Sequence, residues 1–234
     1  MTFQPRSNLT KANYHKHLPS SPRLIVLDLE TTGFSPYSDH IIEIGALELI
    51  NLETRRAFQR LSKPPKALPE EITQLTGIYP SDLADKPPPA EALRDFLAWI
   101  GPQEDVTLVG HNIAFDMSFL DSELDRVNRD NGDCLALTRS TFCTLSFVKL
   151  AFCNRNLDLE RACRYFSVRR DRSGTRHRAL GDCELTQRLL VAIITWNLFV
   201  DSPGPQPPPP LLEEDPANYT LPPEDQRQPW ADNK

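Results

Sequence analysis

The sequence predicts a three-layer α/β domain in which a mixed β-sheet lies between helices. Three strand-like segments come first, and helices then alternate with a further strand, which is typical of a sheet covered on both faces. The 234 residues, of which 39% are hydrophobic and 25% charged, suffice for one core with additional terminal segments. The order of the strands does not follow from this pattern.

The strands are predicted from short apolar runs. Leu24 to Leu27 is a continuous apolar run, which is typical of a strand buried on both faces. The other strands are predicted at Ile41–Leu49, Arg55–Leu61 and Val106–Val109. The first three strands therefore follow one another directly, and the fourth comes after two helical segments.

The helices are predicted from apolar residues that recur every three or four positions. They are expected at Glu70–Thr76, Glu91–Ile100, Ile113–Asn128, 141–151, 157–166 and Ala179–Phe199. Gly77 ends the first helix and Gly101-Pro102 ends the second, because glycine and proline stop helices. The segment Ala179–Phe199 is the last ordered element that the sequence predicts.

The two ends of the chain differ from this domain, which is predicted at residues 22–200. Residues 1–21 are polar, lack the apolar stretch of a secretory signal, and are expected to form a flexible arm. Residues 201–234 hold ten of the 22 prolines and seven acidic residues against two basic ones, which predicts a disordered tail.

The composition also argues against several classes of protein. No apolar run approaches the ~20 residues that a membrane span needs, so no association with a membrane is expected. The five cysteines include no Cys-x-x-Cys pair, which argues against a zinc knuckle and against a disulfide framework. A cytoplasmic protein is therefore expected.

Four acidic residues stand where a core element begins or ends. Asp28 and Glu30 follow the first apolar run and point to the same face of that strand, where their charges repel each other unless a cation lies between them. Asp116 and Asp182 each begin the apolar stripe of a helix. Each acid alone also fits a solvated strand end or a partner of a helix dipole. Together they predict a site for Mg²⁺ or Mn²⁺, because these ions prefer oxygen ligands.

A histidine and a basic segment lie next to the last of these acids. His177 lies five residues before Asp182, and a histidine with a reference pKa of ~6.5 is suited to act as a base near neutral pH. The segment Arg161–Arg178 holds seven arginines and one acidic residue, so that phosphate is its expected ligand. A solvated, charged loop is the alternative interpretation.

Three segments together resemble the three exonuclease motifs of the DnaQ-like, or DEDDh, 3′–5′ exonucleases. They are Asp28-Leu29-Glu30-Thr31-Thr32-Gly33, His111-Asn112-Ile113-Ala114-Phe115-Asp116 and His177-Arg178-Ala179-Leu180-Gly181-Asp182. The segment Pro69–Ile78 also resembles the stretch between the first two motifs in the polymerase epsilon subunit and in PolC-type polymerases. The resemblance covers about residues 22–199.

The resemblance implies a ribonuclease H-like fold and two divalent metal ions. It implies that Asp28, Glu30 and Asp182 hold the catalytic ion, and that Asp28 and Asp116 serve the second ion, Asp116 through water. It also implies that His177 is the general base. No departure from the family pattern occurs at these five positions, so the resemblance predicts an active enzyme.

The resemblance further implies contacts to the terminal nucleotide. The candidate substrate-binding residues are Leu29, Thr31, Thr32, Phe34, His111, Asn112 and Phe115. Thr31 is expected to hold the terminal nucleotide, and the aromatic residues to stack on bases.

The function predicted is that of a metal-dependent exonuclease that releases nucleotides from single-stranded or frayed DNA 3′ ends. Proofreading or repair is the expected setting, with a DNA polymerase as a candidate partner. One alternative is an exonuclease of the same superfamily that trims RNA. A second alternative is a non-catalytic nucleic-acid-binding adaptor that recruits partners through its proline-rich tail. The complete set of acids and His177 argues against the adaptor.

Overall fold

The five strands form one mixed sheet in this computed structural model, which describes residues 19, 21, 23–132, 134–151, 157–169 and 178–200. The strands are β1 (Arg23–Thr31), β2 (Ile41–Ile50), β3 (Glu53–Leu61), β4 (Val106–Gly110) and β5 (Thr141–Cys143). Their order in the sheet is β3-β2-β1-β4-β5. The β3-β2-β1 half is antiparallel, and the β1-β4-β5 half is parallel. The prediction of a mixed sheet is confirmed.

Helices cover both faces of this sheet. They are α1 (Glu70–Thr76), α2 (Pro80–Leu83), α3 (Pro89–Ile100), α4 (Ile113–Asn131), α5 (Thr144–Ala151), α6 (Leu159–Tyr165) and α7 (Ala179–Val200). Apolar residues of α3 and α4 form one core with one face of β1, and those of α5, α6 and α7 form a second core with the opposite face. In the part of the chain that the structure describes, no helix is long and apolar enough to cross a membrane.

Three sequence predictions fall wholly or largely outside the described residues. They are the flexible arm, of which only residues 19 and 21 are described, the tail at 201–234, and the predicted general base His177.

The sequence prediction was wrong at residues 141–143 and incomplete before α3. Thr141–Cys143 was expected to begin a helix, but it forms β5, in which Phe142 pairs with Val109 of β4. A strand of three residues is too short to show a period of two, so the apolar residues of α5 set the predicted pattern. The short helix α2 was not predicted for the same reason of length.

β1 continues well beyond the apolar run that predicted it. Its residues pair with β2 as far as Thr31, whereas the pairing with β4 ends at Val26 opposite Val109. Side chains alternate along a strand, so Asp28 and Glu30 lie on the face of β1 that carries Val26. That is the face which α7 covers, because Val26 belongs to the core formed with α7.

The first turn of α7 lies directly on β2 at Gly45. A Cβ atom at Gly45 would lie 2.4 Å from the carbonyl carbon of Ala179 and 2.5 Å from the nitrogen of Leu180. The thiol of Cys183 donates a hydrogen bond of 3.2 Å to the carbonyl of Gly45. Because Gly45 is the partner of Asp28 in the ladder between β1 and β2, this approach brings the beginning of α7 to Asp28.

We predict that Gly45→Ala destabilises the protein by ~1–3 kcal/mol, because the added methyl group meets backbone atoms that cannot move independently. Urea unfolding measures this change. Gly110→Ala is the control, since the nearest atom to its added methyl group would be Cδ1 of the flexible Ile113 side chain, at 2.7 Å, and its backbone contact, with the carbonyl oxygen of Leu27, would be longer, at 3.3 Å. An equal or smaller loss in Gly45→Ala than in Gly110→Ala would contradict the account of this contact.

Candidate active site

Three of the predicted acids meet where β1 and α7 come together. Asp28 and Glu30 come from β1, and Asp182 comes from the first turn of α7. One carboxylate oxygen from each lies within 4.8 Å of the others. Glu30 and Asp182 are buried, and Asp28 is half-buried. Three oxygen ligands at this separation are suited to a divalent cation.

The fourth acid, Asp116, reaches the same place from the N-terminal turn of α4. This residue is only 4% exposed, and its Oδ1 atom accepts a hydrogen bond of 3.1 Å from the backbone N–H of Leu29. Leu29 lies beyond the point at which β4 stops pairing with β1, so its N–H has no ladder partner on that side. Asp116 supplies the missing acceptor, and this contact fixes its carboxylate beside Asp28.

The chain turns sharply before α4. Asn112, the residue before this helix, has a left-handed backbone with φ 70° and ψ 42°, which asparagine tolerates better than most residues. Its side chain makes no capping hydrogen bond to the helix. The turn brings Asp116 from the end of β4 back to the edge of β1.

The electrostatics of this cluster favour a bound cation. Burial raises the pKa of Asp28 well above its ordinary value, and the charges of Asp116, Asp182, Glu30 and Glu43 raise it further. Burial raises the pKa of Asp116 to about 8, although two backbone hydrogen bonds oppose this shift. Without a cation, protons are therefore expected to neutralise part of the cluster near pH 7.

One acid beside the site was missed by the sequence analysis. Glu43 on β2 is fully buried, lies opposite Glu30 in the β1/β2 ladder, and binds Arg178, the residue before α7. The signal was present, because Glu43 interrupts the apolar run Ile41-Ile42-Glu43-Ile44. It was overlooked because the other acids were recognised at the ends of elements, and Glu43 lies inside one.

His111 lies at the end of β4, where both of its ring nitrogens contact other parts of the chain. Nε2 donates to the carbonyl of Leu157 at 2.8 Å, and Nδ1 faces the hydroxyl of Thr144 at 3.0 Å. Burial is the main cause that lowers the pKa of His111, so the ring is neutral near pH 7. His111 therefore joins the end of β4 to α5 and to the segment before α6.

The two threonines after Glu30 shape the turn that leaves β1. The hydroxyl of Thr31 donates to the carbonyl of Gly33 at 2.6 Å. The hydroxyl of Thr32 donates to Asp39 at 3.1 Å and accepts from the N–H of His40 at 3.1 Å. These bonds hold the turn beside the acids.

The remaining predicted substrate residues differ in exposure. Phe34 is 44% exposed, whereas Phe115 is half-buried with its ring 4.9 Å from that of Phe119. Leu29 is buried in the core formed with α3 and α4. Only the first of these three presents a large aromatic surface to solvent.

The loop after β1 also carries an aromatic residue that the sequence analysis missed. Tyr37 is 91% exposed, yet the backbone around it is held firmly. The guanidinium of Arg126 on α4 donates to the carbonyls of Pro36 and Tyr37 at 2.7 and 3.0 Å. Ser122 donates to the same carbonyl of Pro36 at 2.5 Å. A fixed loop therefore presents two aromatic side chains, Phe34 and Tyr37, after the strand that carries Asp28 and Glu30.

The arginine-rich segment is described only in part. Arg178 binds Glu43, and Nε of Arg161 lies 3.4 Å from Oδ2 of Asp158, the residue before α6. The proposed phosphate contacts of Arg170, Arg172 and Arg176 concern residues outside the described part of the chain.

The chain is similar to several known proteins. The model of a family described as Exonuclease matches residues 25–190. DNA polymerase III subunit epsilon of Rickettsia typhi is 38% identical over 177 residues, which are 74% of this chain and 75% of the relative. The PolC-type DNA polymerase III of Bacillus subtilis is 34% identical over 176 residues, which are 73% of this chain and only 11% of that protein.

Two solved structures have the same fold. Exonuclease X in complex with 5′ overhanging duplex DNA has a TM-score of 0.56 and 21% identity, and the match covers 74% of this chain and 91% of that one. Exonuclease I has a TM-score of 0.61 and 16% identity, with 74% and 43% covered. The predicted ribonuclease H-like fold is confirmed. Since the family model and the epsilon subunits each match most of the sequence, the chain belongs to the Exonuclease family of DnaQ-like nucleases.

Proposed function

We propose that this chain hydrolyses nucleotides from DNA 3′ ends with two divalent cations held by Asp28, Glu30, Asp116 and Asp182. The observation that carries this proposal is the meeting of these acids, which come from three separate segments, at one place in the fold. A cluster that raises the pKa of its own members is unfavourable by itself, and cations remove the repulsion.

The exonuclease activity follows from the family. The predictions of a hydrolase and of a 3′–5′ exonuclease acting on DNA are confirmed by the family model and by relatives that are DNA polymerase III subunits. Those relatives also support a DNA polymerase as the partner and the cytoplasm as the location, both of which we propose for this chain. A single-stranded or frayed 3′ end is the proposed substrate.

The donor atoms fit Mg²⁺ or Mn²⁺. All of the proposed ligands are carboxylate oxygens, which hard divalent cations prefer. Asp28, Glu30 and Asp182 lie close enough together to share one ion, and Asp116 beside Asp28 offers ligands for a second. When bound, two such ions lower the pKa of a water molecule and neutralise charge on the phosphate.

His177 is the proposed general base. An imidazole accepts a proton near neutral pH, and His177 precedes Arg178, which Glu43 holds beside the cluster of acids. The contacts of His111 support this choice, because its Nε2 proton is bound to Leu157 and its burial disfavours a further proton. We therefore propose that His111 contributes to substrate binding through the position of its backbone and not through its ring.

The other substrate contacts are assigned from exposure and position. Thr31 and Thr32 shape the turn where the terminal nucleotide is proposed to lie, with Leu29 and Asn112 contributing backbone groups. Phe34 and Phe115 are proposed to contact the bases, since base stacking on an aromatic ring is worth ~1–3 kcal/mol.

The experiment that tests this function compares 3′-labelled and 5′-labelled single strands of DNA and RNA, with Mg²⁺ and with a chelator. The expected result is immediate release of the 3′ label as a mononucleotide from DNA, with progressive shortening of the 5′-labelled strand, only when Mg²⁺ is present. Faster cleavage of RNA would favour the RNA-trimming alternative, and release of the 5′ label first would contradict the polarity.

We predict that Asp28→Ala and Asp182→Ala each lower kcat by ~10³-fold or more, because each removes a ligand of the same ion. The double variant should lose little more than either single variant, since the acids act as a unit. Asp121→Ala is the control, because Asp121 lies on α4 but pairs with Arg139 at the surface. Steady-state rates with Mg²⁺ check this prediction. If the factors by which the two single variants lower kcat multiplied in the double variant, the acids would act independently, which would contradict a shared site.

We predict that the metal-free protein loses stability as the pH rises from 5 to 8. The cluster binds more protons in the folded protein than in the unfolded chain in this interval, because the pKa of Asp116 is raised to about 8 from an unfolded value of ~4 and that of Asp28 is also raised. The lowered pKa of His111 opposes this decline only below pH ~6.5, where the unfolded histidine is protonated. Glu48, whose arginine partners lower its pKa to about 2, loses its contribution only at more acidic pH.

Melting temperatures in chelator check this prediction. Mn²⁺ should raise the Tm more at pH 8 than at pH 5, because protons compete with the ion for the same oxygens. Asp116→Asn should flatten the decline between pH 5 and 8. A Tm that rises with pH in chelator would contradict the assignment of raised pKa values to this cluster.

We predict that His177→Ala lowers kcat by ~10²–10⁴-fold, which is the usual contribution of a general base. Calorimetric titration should show nearly unchanged Mn²⁺ binding in this variant, whereas Asp182→Ala should lose affinity. If His177→Ala abolished metal binding, His177 would be a ligand or a structural anchor. An unchanged rate would mean that the third motif has been misinterpreted.

A further inference from the structure

Glu43 is a buried acid that the proposed metal site does not use. It lies on β2 opposite Glu30, its side chain is fully buried, and its charge adds to those that raise the pKa of Asp28. Burying a carboxylate next to other carboxylates is unfavourable unless it is paired and hydrogen-bonded. Its neighbours Ile42 and Ile44 are apolar, so an acid at this position requires a reason other than packing.

Both oxygens of Glu43 accept hydrogen bonds. Oε1 accepts from Nη2 of Arg178 at 2.7 Å and from Nε2 of Gln59 at 2.8 Å. Oε2 accepts from Nε of Arg178 at 3.0 Å and from the backbone N–H of Ala179 at 3.1 Å. Glu43 therefore binds two consecutive residues, one through its guanidinium and the next through its backbone.

These two residues are the point at which α7 begins. The carbonyl of Arg178 accepts a hydrogen bond of 3.0 Å from the N–H of Asp182, and Ala179 is the first residue of the helix. The first N–H groups of a helix have no partner within it, and a negative charge near them is stabilising. Glu43 supplies this acceptor from the sheet, where a helix usually relies on a side chain of its own N-terminus.

We propose that Glu43 is a positioning residue that fixes Arg178 and the start of α7, so that Asp182 meets the acids of β1 in one defined geometry. Gly45 permits α7 to approach β2, and Glu43 determines where along β2 the helix begins. The inference rests on the proposed function, because the role of Asp182 as a metal ligand belongs to it.

Glu43→Gln is the test variant, since it keeps the size of the side chain and removes its charge. Glu48→Gln is the matched control, because Glu48 is also a buried acid of β2 and binds two arginines, Arg23 and Arg56, away from the cluster. We expect Glu43→Gln to lower kcat on a DNA oligonucleotide by ~10–100-fold, as is typical for residues that orient metal ligands. Glu48→Gln should lower the Tm and leave kcat unchanged, at a temperature where both variants are folded.

Two further readouts separate positioning from general stability. In an Asp182→Ala background, Glu43→Gln should cost a smaller factor in kcat than it does in the wild type, because its effect acts through the position of Asp182. Hydrogen exchange of the backbone amides at the start of α7 should be faster in Glu43→Gln and unchanged in Glu48→Gln.

Arg178 offers a second route to the same test. Arg178→Lys keeps the positive charge and leaves the carboxylate of Glu43 in place, but it loses the bidentate contact between them. It should therefore reproduce the fall in kcat if Glu43→Gln does not fold. Arg178 also lines an open cleft of about 490 Å³ together with Lys86 and Ser81. KM is therefore measured as well, and a change in KM alone would assign Arg178 to substrate binding and overturn positioning.

The outcomes distinguish this inference from the proposed function. A wild-type kcat in Glu43→Gln, an equal loss in Glu48→Gln, or unchanged amide exchange at the start of α7 would overturn the role of Glu43. A wild-type protein that cleaves no DNA with Mg²⁺ would contradict the proposed function instead, and the exchange measurement would still decide whether Glu43 holds α7.

Discussion

Repulsion among buried carboxylates is the constraint on which the rest of this structure depends. Asp28, Glu30, Asp116 and Asp182 come from β1, α4 and α7, and burial raises the pKa of Asp28 and of Asp116. Chains avoid such clusters unless something holds them together. The fold positions Asp116 and the helix that carries Asp182 by contacts that involve no cation.

Each of these contacts uses a backbone feature of the sheet. β1 extends past the end of β4, so the N–H of Leu29 has no partner on that strand. The carboxylate of Asp116 accepts its hydrogen bond instead. Gly45 leaves room for the first turn of α7, and Glu43 binds the residues at its beginning. The acids are thus placed by rigid elements, which is what a preorganised catalytic site requires. Without a cation, the same cluster lowers the stability of this region, because protons must then neutralise the carboxylates.

Most of the site followed from the sequence, because each acid breaks a local rule at the edge of a core element. Two acids on one face of a strand and an acid at the head of an apolar helical stripe are visible without coordinates. Glu43 breaks the same rule inside a strand, and only the structure links it to Arg178, 135 residues further along the chain. Gly45 and the N–H of Leu29 also act through contacts between segments that are distant in the sequence, so the sequence alone does not reveal their roles. β5 was mistaken for helix because three residues carry no period, and the sheet partner that stabilises it lies on β4.

The most direct test of this account is the number of protons that are released when Mn²⁺ binds to the metal-free protein at pH 7. Calorimetric titration in two buffers of different ionisation enthalpy measures it. If the cluster is partly protonated because its carboxylates repel one another, binding of two ions should release protons, and Asp28→Asn should reduce both the release and the affinity. Binding without proton release, or binding that Asp28→Asn leaves unchanged, would contradict the claim that these acids form one metal centre.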